Sequence, residues 1–227
     1  MIVELTGIPG AGKSTVLERL KSLQGNPLFV FDIRDYIMRK SFLPLRGKVG
    51  YDLILLGHIF LLRSEEWSVL KYVFPYVKKS NNTFFHKINI LRNILKKLII
   101  YRYIKGRDEV FFIDEGISHI PFNIFVDVGD TLNSEEVKMF LKLLPSVNRV
   151  LTIDAPDKLL LARVIERGRE GHRRIDFNSK EKVEYFMQQS REVLELLKIH
   201  FNGYIYHNIE KEIDREEIIN QLGLANV

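Results

Sequence analysis

Eight consecutive residues, Gly7-Ile8-Pro9-Gly10-Ala11-Gly12-Lys13-Ser14, constrain this chain more than any other feature, because they satisfy the spacing G-x-x-x-x-G-K-[ST]. Before them, Ile2-Val3-Glu4-Leu5-Thr6 reads as a short buried strand; after them, Thr15 to Lys21 reads as a helix. In a strand–loop–helix context the glycines let backbone N–H groups close around an anion, and the helix N-terminus adds the positive end of its dipole. Lys13 is then expected to reach the β- and γ-phosphates of a nucleotide, and the Ser14 hydroxyl to ligate Mg²⁺. The expected nucleotide-binding set is Gly7, Ile8, Pro9, Gly10, Ala11, Gly12, Lys13, Ser14 and Thr15.

Downstream, apolar strands alternate with helical patterns. Leu28 to Phe31 ends at Asp32, Val110 to Ile113 at Asp114, Val147 to Ile153 at Asp154, and Tyr204 to Tyr206 is a weaker fifth strand. Continuous apolar strands separated by helices predict a parallel sheet covered on both faces, with ligands at the strands' C-terminal ends. Between the second and third strands, 51–107 form a helical, basic insertion within a single domain of 1–227, broken near Pro75 and at Ser80-Asn81-Asn82-Thr83.

Charge is unevenly spread. The whole chain carries +5, yet Trp67 to Arg107 holds ten Lys or Arg residues and no Asp or Glu, so the remainder is net acidic. Interleaved with Tyr72, Phe74, Tyr76, Phe84, Phe85, Tyr101 and Tyr103, these cations suit nucleic acid, an anionic membrane surface or a charged substrate, or else form a solvated face. Ile88, Leu91, Leu95, Leu98 and Ile99 supply an apolar stripe for the core or for lipid. The longest apolar run, 53–62, is too short to span a bilayer and reads as a buried helix. Zero cysteines exclude disulfides, thiolate metal sites and cysteine nucleophiles. The N-terminus goes straight into the first strand without a signal peptide, so the expected location is cytoplasmic.

Val110-Phe111-Phe112-Ile113-Asp114-Glu115 is the expected partner of the loop. Mg²⁺ wants oxygen ligands and keeps several waters, so Asp114 beside Ser14 suits it, leaving Glu115 to face the acceptor or a water. Asp32 and Asp35 follow the second strand, where one of them, Asp32 by preference, orients or deprotonates an acceptor hydroxyl, or caps the helix beginning near Tyr36. Pro156 starts a helix on which Arg163 and Arg167 fall four apart. With Arg169 they begin an arginine-rich, glycine-punctuated stretch, 163–178, suited to a lid that neutralises transferring phosphate.

Taken together, Gly7 to Ser14, Asp32, Asp114 and the run Asp154-Ala155-Pro156 through Arg163 and Arg167-Gly168-Arg169-Glu170 resemble the nucleoside and nucleotide kinase branch of the phosphate-loop proteins, especially thymidylate kinases and deoxynucleoside kinases. That resemblance implies an α/β, kinase-type three-layer sandwich with a five-stranded parallel sheet in the order 2-3-1-4-5. It also implies ATP with Mg²⁺ as donor and an arginine lid, hence transfer of the γ-phosphate to a small-molecule acceptor, nucleoside- or nucleotide-like. The chain departs from those families after the third strand: Asp114-Glu115-Gly116 stands where they carry Glu-Arg-Ser or Asp-Arg-Tyr. A GTPase would need Asn-Lys-x-Asp and a transport ATPase Leu-Ser-Gly-Gly, and both are absent from the sequence. The competing expectation is an ATPase working at nucleic acid or an anionic membrane surface through 67–107; a homodimer is a further partner left open.

Overall fold

The structure, a computed structural model, describes residues 1–21, 29–40, 57, 60, 62–80, 83–126, 131–169, 179–201, 203–207 and 215–224. The apolar run 53–62 and the lid stretch beyond Arg169 lie largely or wholly outside these residues.

Five strands form one parallel sheet. β1 (Ile2–Thr6) is central because every one of its residues is buried, which suits a strand covered on both faces. It pairs on one side with β3 (Val110–Asp114) and on the other with β4 (Arg149–Asp154). The two-residue β2 (Phe29–Val30) lies outside β3, and β5 (Tyr204–His207) outside β4, so the order is β2-β3-β1-β4-β5. Parallel pairing forces each connection to cross a face of the sheet, and helices supply the crossovers. The register sets Leu5 opposite Asp114 and Thr6 opposite Thr152, so the loop after β1 and the acidic end of β3 emerge at the same edge.

The helices are α1 (Lys13–Lys21), α2 (Ile33–Lys40), α3 (Ser64–Lys79), α4 (Phe84–Ile104), α5 (Ile120–Phe125), α6 (Ser134–Leu143), α7 (Asp157–Arg169), α8 (Lys180–Phe201) and α9 (Arg215–Gln221). Pro75 does not break α3 as its sequence suggests. It removes the hydrogen bond to Lys71 O, but both residues are exposed, so water can solvate the freed carbonyl. The break comes at Ser80, whose N–H closes α3 on Tyr76 O at 3.0 Å. In α4 the buried residues are Ile90, Ile94, Leu98, Ile99, Tyr101 and Ile104; of the expected stripe, Leu98 and Ile99 are buried, and Leu91 and Leu95 are partly buried and packed against the core. Ile88 is left on the exposed side.

A polar knot fixes the far side of the sheet. Arg191 Nη1 of α8 donates to Asp154 Oδ1 at 2.6 Å and Lys198 Nζ to Oδ2 at 3.3 Å. Burial alone would raise the Asp154 pKa, but these cations and the Ala155 N–H hold it below the usual carboxylate range. Asp154 is thereby a structural tie between β4 and α8.

Candidate functional site

The loop between β1 and α1 is shaped by two close approaches. Gly7 has φ +150°, and a Cβ there would lie 2.2 Å from Ile153 O of β4, so any side chain would drive the loop off the sheet. Gly10, at φ +90°, packs within van der Waals reach of the Leu160 carbonyl and the Val164 side chain, which seats the loop on α7. Ala11 N–H closes the turn on Ile8 O at 3.1 Å.

Lys13 starts α1 and is buried. Its ammonium donates to Gly7 O at 3.1 Å and Ile8 O at 3.4 Å, and lies 3.3 Å from Glu115 Oε1. The lysine is thus folded back over its own loop, balanced by a half-exposed carboxylate. Ser14 Oγ donates to Asp114 Oδ2 at 2.9 Å, so the register of β1 with β3 has brought together the two oxygens expected to share a cation. Asp114 Oδ1 is buried with no hydrogen-bond partner among the described residues. Burial, and then the neighbouring Glu115, push the Asp114 carboxyl up, against the Ser14 bond and Lys13. An orphaned, desolvated oxygen beside a hydroxyl fits a hard cation, which would satisfy it and remove the penalty. Among the described residues no cluster of three or more His, Cys, Asp or Glu side chains could hold a metal by itself.

Glu115 is the strained residue of the site. At φ +55° it is the one non-glycine residue with positive φ among those described. Its N–H reaches Leu5 O at 3.1 Å, which extends the β1–β3 pairing, and its side chain turns back to Lys13 and lies 3.5 Å from His119 Nε2. Burial, with Lys97 and Lys13 adding to it, keeps the His119 pKa far below its ordinary value, so the imidazole is neutral.

Two residues hold this corner that the sequence did not assign to it: Glu4, read only as part of a strand, and Lys97, counted among the cations of the basic segment. Glu4, in the middle of an apolar strand, is fully buried and accepts the N–H groups of Ile117 at 3.0 Å and Ser118 at 2.8 Å. It therefore caps the 3₁₀ turn Ile117–His119 that leads into α5 and sets the path of Glu115-Gly116. Gly116 is required there, since a Cβ would sit 2.2 Å from the Glu4 carboxyl carbon. The available signal was a carboxylate inside a buried strand, which is rare unless it is paired.

Lys97 is the second. It projects from α4 into a cavity of about 280 Å³ whose wall includes Glu4, Asn93, Tyr101, Asp114, Glu115 and Asn123. The basic insertion thus sends at least one of its cations inward. Burial pushes the Lys97 ammonium down to about 8, against the pull of Glu115 and Glu4. In the unfolded chain the same group keeps its proton to about 10.5. Between those values the unfolded state binds more protons, so stability attributable to this site rises with pH from about 8 to 10.5, and the cost of burying the charge is fully present below about 8. Lys97→Met is therefore expected to raise the Tm at pH 7, with the gap to wild type narrowing towards pH 10. Calorimetric melting across that range checks this; a pH-independent gap would mean that Lys97 is solvated.

The remaining expected residues fall out as follows. Asp32, after β2, accepts the Asp35 N–H on Oδ1 at 3.0 Å and caps α2; both carboxylates are exposed, and neither lines the cavity. Arg163 reaches the loop, its Nη1 donating to Gly10 O at 3.2 Å. Helix α7 continues through Gly168, so Arg167 and Arg169 are helical rather than the start of a loop; their side chains lie outside the described residues. The helix begins at Asp157, just after Pro156, whose carbonyl accepts the N–H groups of Leu159 and Leu160. No model of a known protein family matches the chain, and no curated protein matches it.

Proposed function

We propose that this protein is an ATP- and Mg²⁺-dependent phosphotransferase that moves the γ-phosphate to a small-molecule acceptor, nucleoside- or nucleotide-like, bound in the cavity under α4. The observation that carries the reading is the convergence of Lys13, the Ser14–Asp114 pair and Glu115 at the end of β1 and β3, next to that cavity. The β2-β3-β1-β4-β5 order, which the kinase resemblance implies, supports it too.

In this reading the loop's N–H groups and Lys13 take the phosphates. Lys13 exchanges Gly7 O, Ile8 O and Glu115 for phosphate oxygens. Mg²⁺, held by Ser14 and Asp114, would offset negative charge between the phosphates. Arg163, already on the Gly10 carbonyl, stiffens the loop from behind, and Arg167 and Arg169 supply the lid's cations. Glu115, released from Lys13, accepts the proton of the acceptor hydroxyl as that oxygen bonds to Pγ and the bond from Pγ to the bridging oxygen breaks, leaving ADP. This places the base on Glu115, because it borders the cavity, and leaves Asp32 as a cap.

The test measures ADP formation with Mg²⁺-ATP alone and with a panel of nucleosides, nucleoside monophosphates, nucleic acids and vesicles. Acceptor-dependent turnover with a small molecule is expected. Glu115→Gln should lower transfer roughly 10²-fold or more, the usual size for a general base. Asp32→Asn should change it little, since Asn caps a helix as well as Asp does. If Asp32→Asn abolishes transfer and Glu115→Gln does not, the base is Asp32. Turnover that depends only on nucleic acid or vesicles would overturn the kinase reading.

A further inference from the structure

The end of α3 and the start of α4, on either side of Ser80 and Thr83, carry an unusual surface. Phe84 is 71% exposed, Phe85 79%, Phe74 54% and Ile88 45%, all near the tip of this helical hairpin, with Trp67 further along α3 at 45%. Around them stand the exposed cations Lys71, Lys78, Lys79 and Arg92, in a segment without a single acidic residue. Lys87 donates to Lys78 O at 2.7 Å and pins the two helices together at the tip. Elsewhere the exposed Met139 and Ile199 sit on helices that also bear Glu135, Glu136, Glu192 and Glu195. At the hairpin tip, by contrast, the sequence neighbours of the exposed hydrocarbon carry only positive charge, since the acidic residues of α3, Glu65 and Glu66, lie at that helix's other end.

We propose that the tip of the α3–α4 hairpin docks the protein on an anionic membrane surface, with Phe84, Phe85, Phe74 and Ile88 entering the headgroup region and Lys71, Lys78, Lys79 and Arg92 meeting lipid phosphates. Charge complementarity selects the partner. A second copy of the chain would set two cationic tips against each other. Nucleic acid would satisfy the charge but not the hydrocarbon: Ile88 has no flat face for a base, and Phe84 packs edge-on against Phe85 at 6.0 Å and 72°. A lipid interface takes both, since apolar burial and cation attraction act together there. Binding is peripheral, as no described helix is long and apolar enough to cross a membrane. The tip is roughly 20 Å along α4 from Lys97, at the usual rise per residue, so docking is separable from the phosphate loop and does not rest on the kinase reading.

Flotation of the whole protein with phosphatidylcholine vesicles, with and without phosphatidylglycerol, tests this. Binding is expected only with the anionic lipid, and it should fall steeply as salt rises and shortens the Debye length. Each surface cation removed should weaken binding about fivefold, so Lys71→Gln with Lys78→Gln and Lys79→Gln should cost on the order of 10²-fold. The triple change Phe84→Ser, Phe85→Ser and Ile88→Ser should lower affinity at least about tenfold, with the Tm and nucleotide binding unchanged because these side chains are exposed. No flotation with anionic vesicles at low salt would overturn the proposal, as would flotation indifferent to the Phe84, Phe85 and Ile88 changes. A gel shift with nucleic acid, or a dimer in sedimentation, that is lost in the same triple variant while vesicles leave the protein behind would give the surface to that partner instead.

Discussion

Lys13→Ala is expected to abolish most ATP turnover while leaving a folded protein. Its ammonium contacts two backbone carbonyls and a single half-exposed carboxylate, so phosphate can replace them all. Removing preorganised positive charge from transferring phosphate costs several kcal/mol of transition-state stabilisation, so turnover should fall by roughly 10²- to 10³-fold or more. Stability should move far less: Glu115 loses a partner but is 46% exposed and can turn to water. The paired measurement is ATP turnover and the melting temperature on the same preparation. Wild-type turnover in the variant would remove the basis for a phosphate-loop enzyme, and a collapsed Tm would show Lys13 to be structural.

Asp114→Asn should act through the metal. The substitution keeps the shape and a hydrogen bond to Ser14 but removes the charge with which Asp114, one oxygen of it buried and unpartnered, would hold a cation. Half-maximal Mg²⁺ should rise on the order of 10- to 100-fold, the scale on which metal sites respond to altered ligation. Because burial already pushes the Asp114 carboxyl up, protons should compete with a bound cation in the wild type as well. Its Mg²⁺ requirement should therefore climb as pH falls towards the acid range, and the Asn variant should lack that slope. Titration of activity against Mg²⁺ at several pH values separates the two. An Asn variant with the wild-type Mg²⁺ dependence would mean that the cation is held elsewhere. The buried apolar neighbours on β3, Phe111 and Phe112, should hold the fold in either case.

The strand–loop–helix unit was legible because local chemistry dictates it. Gly7, Gly10 and Gly12 do adopt positive φ, and α1 starts at Lys13. The acidic end of β3 was legible for a similar reason: a run of apolar residues stops where the chain leaves the sheet. Pro75 misled, because its ring clash and lost hydrogen bond, costly as they are, are outweighed by the burial of Val69, Val73 and Val77 along the same helix. The α4 stripe was legible in part: Leu98 and Ile99 are buried and Leu91 and Leu95 pack on the core, but Ile88 stays outside, because several apolar sets fit a 3.6-residue period in Phe84–Ile104 and only tertiary packing selects among them.

By itself, then, the sequence determined the α/β alternation, the parallel character of the sheet, the glycine-rich loop between β1 and α1 and which carboxylates end the strands, since each depends on neighbours within a few residues. Long-range packing decided the rest. The pairing of β1 with β3 brought Ser14 to Asp114 across a separation of 100 residues. Burial of Glu4 placed the turn that carries Glu115. The rotation of α4 sent Lys97 to the cavity and left Ile88 outside, although both belong to the same basic segment. Composition records how many charges and rings a segment holds; which of them face a site and which face solvent is set by the partner surface, and that exists only once the chain has folded.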